Sequence, residues 1–264
     1  MIHGCVAERR SDAQTHRNYV GEADLVAFLR RQPRRYDHRT AALTVDDSTA
    51  GGARACLIAR EEGHEVALFL NPAQIVRRRT YWFSTLDAML DATRVRRLSF
   101  AGEDHELDRR QGMRSLRLAC KARLMAMAEA DTEGMLDDLA RRLEVSSVDV
   151  PAHARTIEPA EVRQLEAAGV RIGNHGWDHR DVAAMPAAEV AEDLRAAADW
   201  FEQAIGARPA DYAVPYGLER LSDEAAAEVS GIIYLADPRI PPGEAGGRHW
   251  NRRDVTGDIH QAAH

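Results

Sequence analysis

Two histidines four residues apart, His175 and His179 in His-Gly-Trp-Asp-His, follow directly on Val170-Arg171-Ile172-Gly173-Asn174, a short run that reads as a strand. Imidazole nitrogens ligate zinc and similar ions, and on one helical turn an i, i+4 pair aims both rings at one point. A chain with 11 histidines can also carry such a pair as plain surface residues. Their position after a strand weighs the other way, because loops at strand C-termini carry the sites of α/β folds. An oxygen donor would complete a ligand set, and Asp46-Asp47 closes the apolar run Thr40 to Val45. Adjacent carboxylates project in different directions, so one can bind metal while the other faces a substrate. In isolation the pair is more simply a turn or a helix cap. The third element is Val214-Pro215-Tyr216-Gly217, where proline stiffens the backbone and can aim the Tyr216 N–H at an oxyanion. Taken alone it is an ordinary strand-to-helix turn.

These residues need a scaffold. Gly21 to Gln32 places Leu25, Val26, Phe28 and Leu29 on one helical stripe that Pro33 stops, and residues 1 to 20 read as a loose polar arm. Strand 40–45, a helix from Gly51 to about Glu62, and strand 65–70 follow in the order of a parallel crossover unit. From Asn71 to about Pro151 the pattern changes to arginine-rich helix, mainly Gln111 to Leu143, with strand signal only at Val95 to Phe100. The βα rhythm returns with helix 159–168, strand 170–173, helix 187–205, strand 212–214, helix 218–229 and strand 231–235. The tail from Pro238 reads as irregular. The boundaries drawn are an arm and leading helix at 1–39, one domain at 40–250 with an insertion at about 72–155, and a tail at 251–264.

In this order and at these separations the three segments resemble the polysaccharide deacetylase family, carbohydrate esterase family four. Thr44-Val45-Asp46-Asp47 is similar to its Thr-Phe-Asp-Asp motif, His175 to His179 to its His-[Ser/Thr]-x-x-His motif, and Val214-Pro215-Tyr216-Gly217 to its third. The resemblance implies a distorted (β/α) barrel, here with a largely helical insertion. It implies that Asp47, His175 and His179 bind a divalent metal, zinc first and cobalt or nickel as alternatives, and that Asp46 is the general base. Tyr216 would then supply the oxyanion donor. Several positions depart from the pattern. Ser48 stands for a glycine and Gly176 for the hydroxyl residue that braces the histidine loop. Ala213 stands where an arginine often neighbours the base, with Arg239, Arg252 or Arg253 as substitutes. The family's late histidine, a general acid, has no clean match, and His249 is the best candidate.

Composition narrows the function. With 42 acidic against 35 basic residues the net charge is −7, which disfavours nucleic acid as a partner. The longest apolar runs fall far short of a membrane span. Three cysteines without metal-site spacing and the absence of an export signal suit a reducing cytoplasm. Between Pro72 and Arg123 the net charge is +6. That reads first as solvated helix faces in a chain whose only lysine is Lys121, and second as a surface for an anionic substrate. The expectation is a cytoplasmic metal-dependent hydrolase that removes an acetyl or similar group from the nitrogen of a small substrate such as an amino sugar. The alternatives are a cyclic imide or ureide amidohydrolase and a silent relative that keeps only the binding site.

Overall fold

The computed structural model describes residues 1–32, 43–125, 127 and 129–262. The proposed helix stop at Pro33, the strand start Thr40 to Ala42 and His264 lie outside them. Along the chain the strands and α-helices are β1 (Cys5–Val6), β2 (Val20–Gly21), α1 (Glu22–Leu29), β3 (Leu43–Asp46), α2 (Ala50–Glu61), β4 (Val66–Leu70), α3 (Pro72–Arg77), α4 (Trp82–Ala92), β5 (Arg97–Phe100), β6 (Glu103–Glu106), α5 (Arg110–Met125), α6 (Glu129–Arg142), α7 (Pro159–Ala167), β7 (Arg171–Asn174), α8 (Ala187–Ile205), β8 (Tyr212–Ala213), α9 (Asp223–Ala227), β9 (Ile233–Leu235), β10 (Gly243–Glu244), β11 (His249–Asn251) and α10 (Thr256–Ala262). They fall into two compact units. One comprises Met1–Arg9, Asn18–Arg79 and Arg155–His264, the other Arg10–Arg17 and Thr80–Ala154.

The first unit is built on a seven-stranded sheet of order β10-β11-β9-β8-β7-β4-β3, parallel except for the β10 edge. It is a half-barrel with helices around it, the (β/α) architecture expected from the sequence. Strand β4, Val66 to Leu70, is buried at every residue, the continuous apolar pattern of a parallel strand covered on both faces. Between sheet and helices the core packs Val45, Cys56, Leu68, Leu70 and Phe201. Inside the curve of the sheet, Phe69 and Tyr234 meet edge to face at 5.3 Å. Gly173 leaves room for that ring, since a Cβ there would lie 2.4 Å from Phe69.

The N-terminal residues are structural, which corrects the reading of 1 to 20 as a loose arm. Ile2 pairs in parallel with Val45: its N–H donates to Thr44 O (3.0 Å) and its carbonyl accepts from Asp46 N (3.2 Å). On the other side, Met1 N donates to Arg253 O (2.6 Å) and its carbonyl accepts from Val255 N (3.1 Å). Residues 1 and 2 thus bridge β3 to the segment after β11, and Ile2 is fully buried. Gly4 lets the chain pass across the start of α2, because a Cβ there would meet the Gly51 and Gly52 backbone at 2.6 Å. The tail is likewise ordered into β10, β11 and α10.

The second unit has its own core of Leu86, Met89, Leu90, Leu98, Leu116, Cys120, Leu139 and Leu143. The helical pattern from Gln111 to Leu143 is carried by two helices, α5 and α6. Strand β5 has an antiparallel partner, β6, in the polar run Glu103 to Glu106, which carries no apolar alternation to announce it. Within this unit Arg117 forms a buried ion pair with Asp87. Asp91 gathers residues 14 and 15 by accepting from Gln14 N, Thr15 N and Thr15 Oγ1. The insertion drawn at 72–155 therefore begins later, with Pro72 to Arg79 belonging to the first unit.

Candidate active site

Asp46 is the last residue of β3, and Asp47 follows with φ 75°, a left-handed conformation that Asp tolerates better than most residues. This breaks the strand alternation, so the two carboxylates serve one pocket instead of opposite faces. Both are buried. Asp46 receives both arms of the Arg252 guanidinium, Nη1 to Oδ1 at 2.6 Å and Nη2 to Oδ2 at 2.7 Å, with the two side chains 6% and 5% exposed. Arg252 also donates to Leu235 O and lies over the Phe69 and Tyr234 rings. Burial works against the charge on Asp46, but the Arg252 cation, with His175 beside it, holds its carboxyl well below the usual carboxylate range. Of the three arginines considered as substitutes for the missing cation at Ala213, Arg252 takes the place. Arg239 pairs with Asp237 and Arg253 with Asp258.

His175 and His179 approach Asp47 from the end of β7, with ring centroids 4.9 Å apart. They are not on a helical turn. The segment is a loop with left-handed backbone at Gly176 (φ 79°) and His179 (φ 63°), and this geometry, not helical spacing, converges the rings. Support comes from Asn71, just after β4, whose side-chain amide donates to the carbonyls of His175 and Gly176. Gly176 N donates to Asn174 Oδ1 (2.8 Å), and Trp177 N to Asp193 Oδ2 (2.7 Å). A Cβ at Gly176 would lie 2.9 Å from that same Asp193 oxygen, which explains the glycine where a hydroxyl residue was expected. Ser48 is integrated too, accepting from Asn71 N at 2.9 Å.

Asp47, His175 and His179 each offer a ligand atom, and these lie within 4.8 Å of one another. His175 Nδ1 is 2.7 Å from Ala213 O. A carbonyl only accepts, so Nδ1 carries the proton and Nε2 presents a lone pair. That Nε2 lies 3.8 Å from Asp47 Oδ1, and His179 Nε2 lies 3.3 Å from the same oxygen. No hydrogen bond reaches Asp47 Oδ1, although it is buried. Burial lowers both imidazoles, His179 well below its ordinary value with His175 adding to the effect, so neither ring is the compensating cation. Burial, with Asp46 nearby, pushes Asp47 well up. Lone pairs and a carboxylate oxygen converging in a desolvated pocket fit a bound cation, and nitrogen with oxygen donors suits zinc and its neighbours.

The turn after β8 borders this cluster. Gly217 N donates to Val214 O (2.9 Å), Tyr216 is left-handed at φ 61°, and its ring stands edge-on to His179 at 4.8 Å. His249, by contrast, is not brought to the cluster. It opens β11 in register with Ile233, three residues and about 10 Å of strand before Arg252. Its charged neighbours are Arg220 and Arg248. Three residues that spacing alone did not single out belong to the site. Asn71 was signalled only as a polar residue ending an apolar strand, and Asp193 lies mid-helix. His3 reaches electrostatic range of Asp46, His175 and His179 through the closure of the sheet by Ile2.

A model of the polysaccharide deacetylase family matches residues 34–231. No curated protein matches the chain by sequence. Among solved structures the chain is similar to IcaB from Ammonifex degensii, at 13% identity and a TM-score of 0.51 over 94% of this chain and 89% of that one. It is also similar to a polysaccharide deacetylase from Bacillus cereus, at 11% identity and a TM-score of 0.51 over 100% of this chain and 66% of that one. At these identities the likeness is one of fold.

Proposed function

The chain belongs to the polysaccharide deacetylase family, and on that premise we propose that it is a metal-dependent hydrolase removing an acetyl or similar acyl group from the nitrogen of a small amino sugar. The observation that carries this reading is the pairing of functions at one strand end. Asp47 with two neutral imidazoles forms a ligand set, and the adjacent Asp46 is held ionised by Arg252. The amino sugar is supported by the family's action on polysaccharides, and its size is what the assay reads.

A divalent ion held by Asp47, His175 and His179 would supply a Lewis acid that acidifies water and polarises the acyl carbonyl. Asp46 is the group that takes the water's proton. Arg252 occupies one lone pair on each of its oxygens and leaves the others free to accept, since a carboxylate has about four acceptor sites. The backbone of Pro215-Tyr216, stiffened by proline and bordering His179, is the donor proposed for the developing oxyanion. Arg252 also answers one ground for a silent relative, because the cation missing at Ala213 is provided from the chain's other end.

The test is acetate release by protein loaded in turn with zinc, cobalt and nickel. The substrates are N-acetylglucosamine, its short oligomers, the acetylated polymer and a cyclic ureide. Release from the monomer or short oligomers supports the proposal, and release only from the polymer corrects the substrate size. Ring opening without acetate release replaces the deacetylase with the amidohydrolase. Protein that binds none of the three metals overturns both hydrolase readings.

A further inference from the structure

An amide nitrogen is a poor leaving group and must receive a proton as the C–N bond breaks, so hydrolysis at this site needs a proton donor besides the base Asp46. His249, whose charged neighbours are Arg220 and Arg248, is not brought to the cluster, and both imidazoles beside Asp47 belong to the ligand set. The N-terminal segment offers another. Ile2 and Val45 are register partners and both sit in the core between sheet and helices. Side chains alternate along extended backbone, so the residues one step on, His3 and Asp46, share the opposite face, which is the site.

The closure of the sheet makes this placement specific. His3 follows a fully buried anchor, Ile2, and precedes Gly4, which is pressed against the start of α2 and whose carbonyl accepts from Val20 N (3.1 Å). The segment is held on both sides, to β3 through Thr44 and Asp46 and to the chain after β11 through Arg253 and Val255. His3 is half-buried, neither sealed in the core nor open on the surface, which leaves it a route for proton exchange with solvent. The charged and titratable groups within its electrostatic reach are Asp46 on β3, His175 and His179 after β7, Arg252 and Asp254 after β11, and the Met1 amine.

We propose that His3 is a catalytic residue of the deacetylation, the imidazole that delivers a proton to the leaving nitrogen. The proposal rests on the deacetylase reading. Asp46 takes one proton from water as the oxygen attacks the acyl carbon. The C–N bond then breaks, its electron pair stays on nitrogen, and the His3 N–H proton goes to that nitrogen. The products are the free amine and acetate. His3 regains its proton from solvent, and Asp46 returns its own to solvent. Burial lowers the affinity of His3 for a proton, while Asp46 and Asp254 oppose that effect.

The experiment compares wild type, His3→Gln and His3→Ala on two substrates, an N-acetyl amino sugar and p-nitrophenyl acetate, whose phenolate leaves without a proton. Metal content and thermal unfolding are recorded for each protein. The expected result is a fall in kcat of about 10² to 10⁴ on the amide in both variants, KM little changed. The ester rate should stay within about three-fold of wild type, with metal content unchanged. Added imidazole should restore part of the amide activity of His3→Ala, and the alkaline limb of the wild-type pH profile should be lost. Equal losses on amide and ester, or loss of metal, would assign His3 a structural role and overturn the proposal. So would full amide activity in His3→Gln, with the deacetylase reading left standing. Wild-type protein that releases acetate from no N-acetyl substrate would overturn that reading and the His3 proposal together.

Discussion

Removing the Arg252 side chain should expose how strongly this site depends on one buried ion pair. Charge centres in the bidentate Asp46–Arg252 pair lie about 4 Å apart, and at an effective dielectric of about 20 that separation corresponds to ~4 kcal/mol. Arg252→Met keeps volume between Phe69 and Tyr234 but leaves Asp46 without its cation, and breaking a buried pair from one side costs about 3–5 kcal/mol. Asp46→Asn should cost less, about 2–3 kcal/mol, because Arg252 keeps its bond to Leu235 O and its contacts with both rings while the amide oxygen still accepts. The double variant buries neither charge alone, so it should be destabilised by well under the sum, with a coupling of about 2–4 kcal/mol. The assay is urea denaturation of all four chelator-treated proteins at pH 7, analysed as a double-mutant cycle. The pH dependence has a definite sign. In the wild type Asp46 has its pKa below the unfolded value, so its contribution is full above about pH 4 and is lost as pH falls through the folded pKa. In Arg252→Met the lone carboxyl is raised instead, so the gap to wild type should narrow between pH 7 and pH 5. Additivity within ~0.5 kcal/mol, or a gap that widens on acidification, would refute the argument.

Asp46→Asn should retain the metal and lose about 10² to 10⁴ in turnover, whereas Asp47→Asn should lose metal because it removes the only anionic ligand. Elemental analysis of both after equal dialysis checks this division. Asn71→Ala deletes both donors to the histidine loop and should weaken metal binding by about 10- to 100-fold, read by competition with a chromophoric chelator. Gly176→Ser combines φ 79° with a Cβ 2.9 Å from Asp193 and should destabilise by roughly 1–3 kcal/mol, read by thermal or urea unfolding. Burial pushes Asp193 up to about 6, against the bond from Trp177 N, so the folded state binds the extra proton between about pH 4 and 6. Wild-type stability should therefore fall as pH rises through that window by about 2–3 kcal/mol relative to Asp193→Asn, measured as urea midpoints at pH 4, 5, 6 and 7.

The residues with chemistry of their own were legible without a structure. Asp46, Asp47, His175 and His179 stand at the ends of apolar runs, and the βα rhythm around them specifies parallel strands whose C-terminal ends face one way. Periodicity also set helix 187–205 correctly, because α8 buries one continuous stripe of Val190, Leu194 and Phe201. What local pattern could not carry is the direction in which a side chain finally points and the partner it meets. The histidine pair converges through left-handed backbone at Gly176 and His179, not through helical spacing, and that conformation is imposed by Asn71 and Asp193 from other elements. Three arginines near the C-terminus were equivalent as text. Curvature of the sheet alone brings Arg252 onto Asp46, 206 positions away, and sends the other two to local acids. The first four residues show the same limit from the other side. Ile2, His3 and Gly4 form no recognisable pattern, since their roles as strand, site residue and close contact exist only once β3, α2 and the chain after β11 have assembled around them.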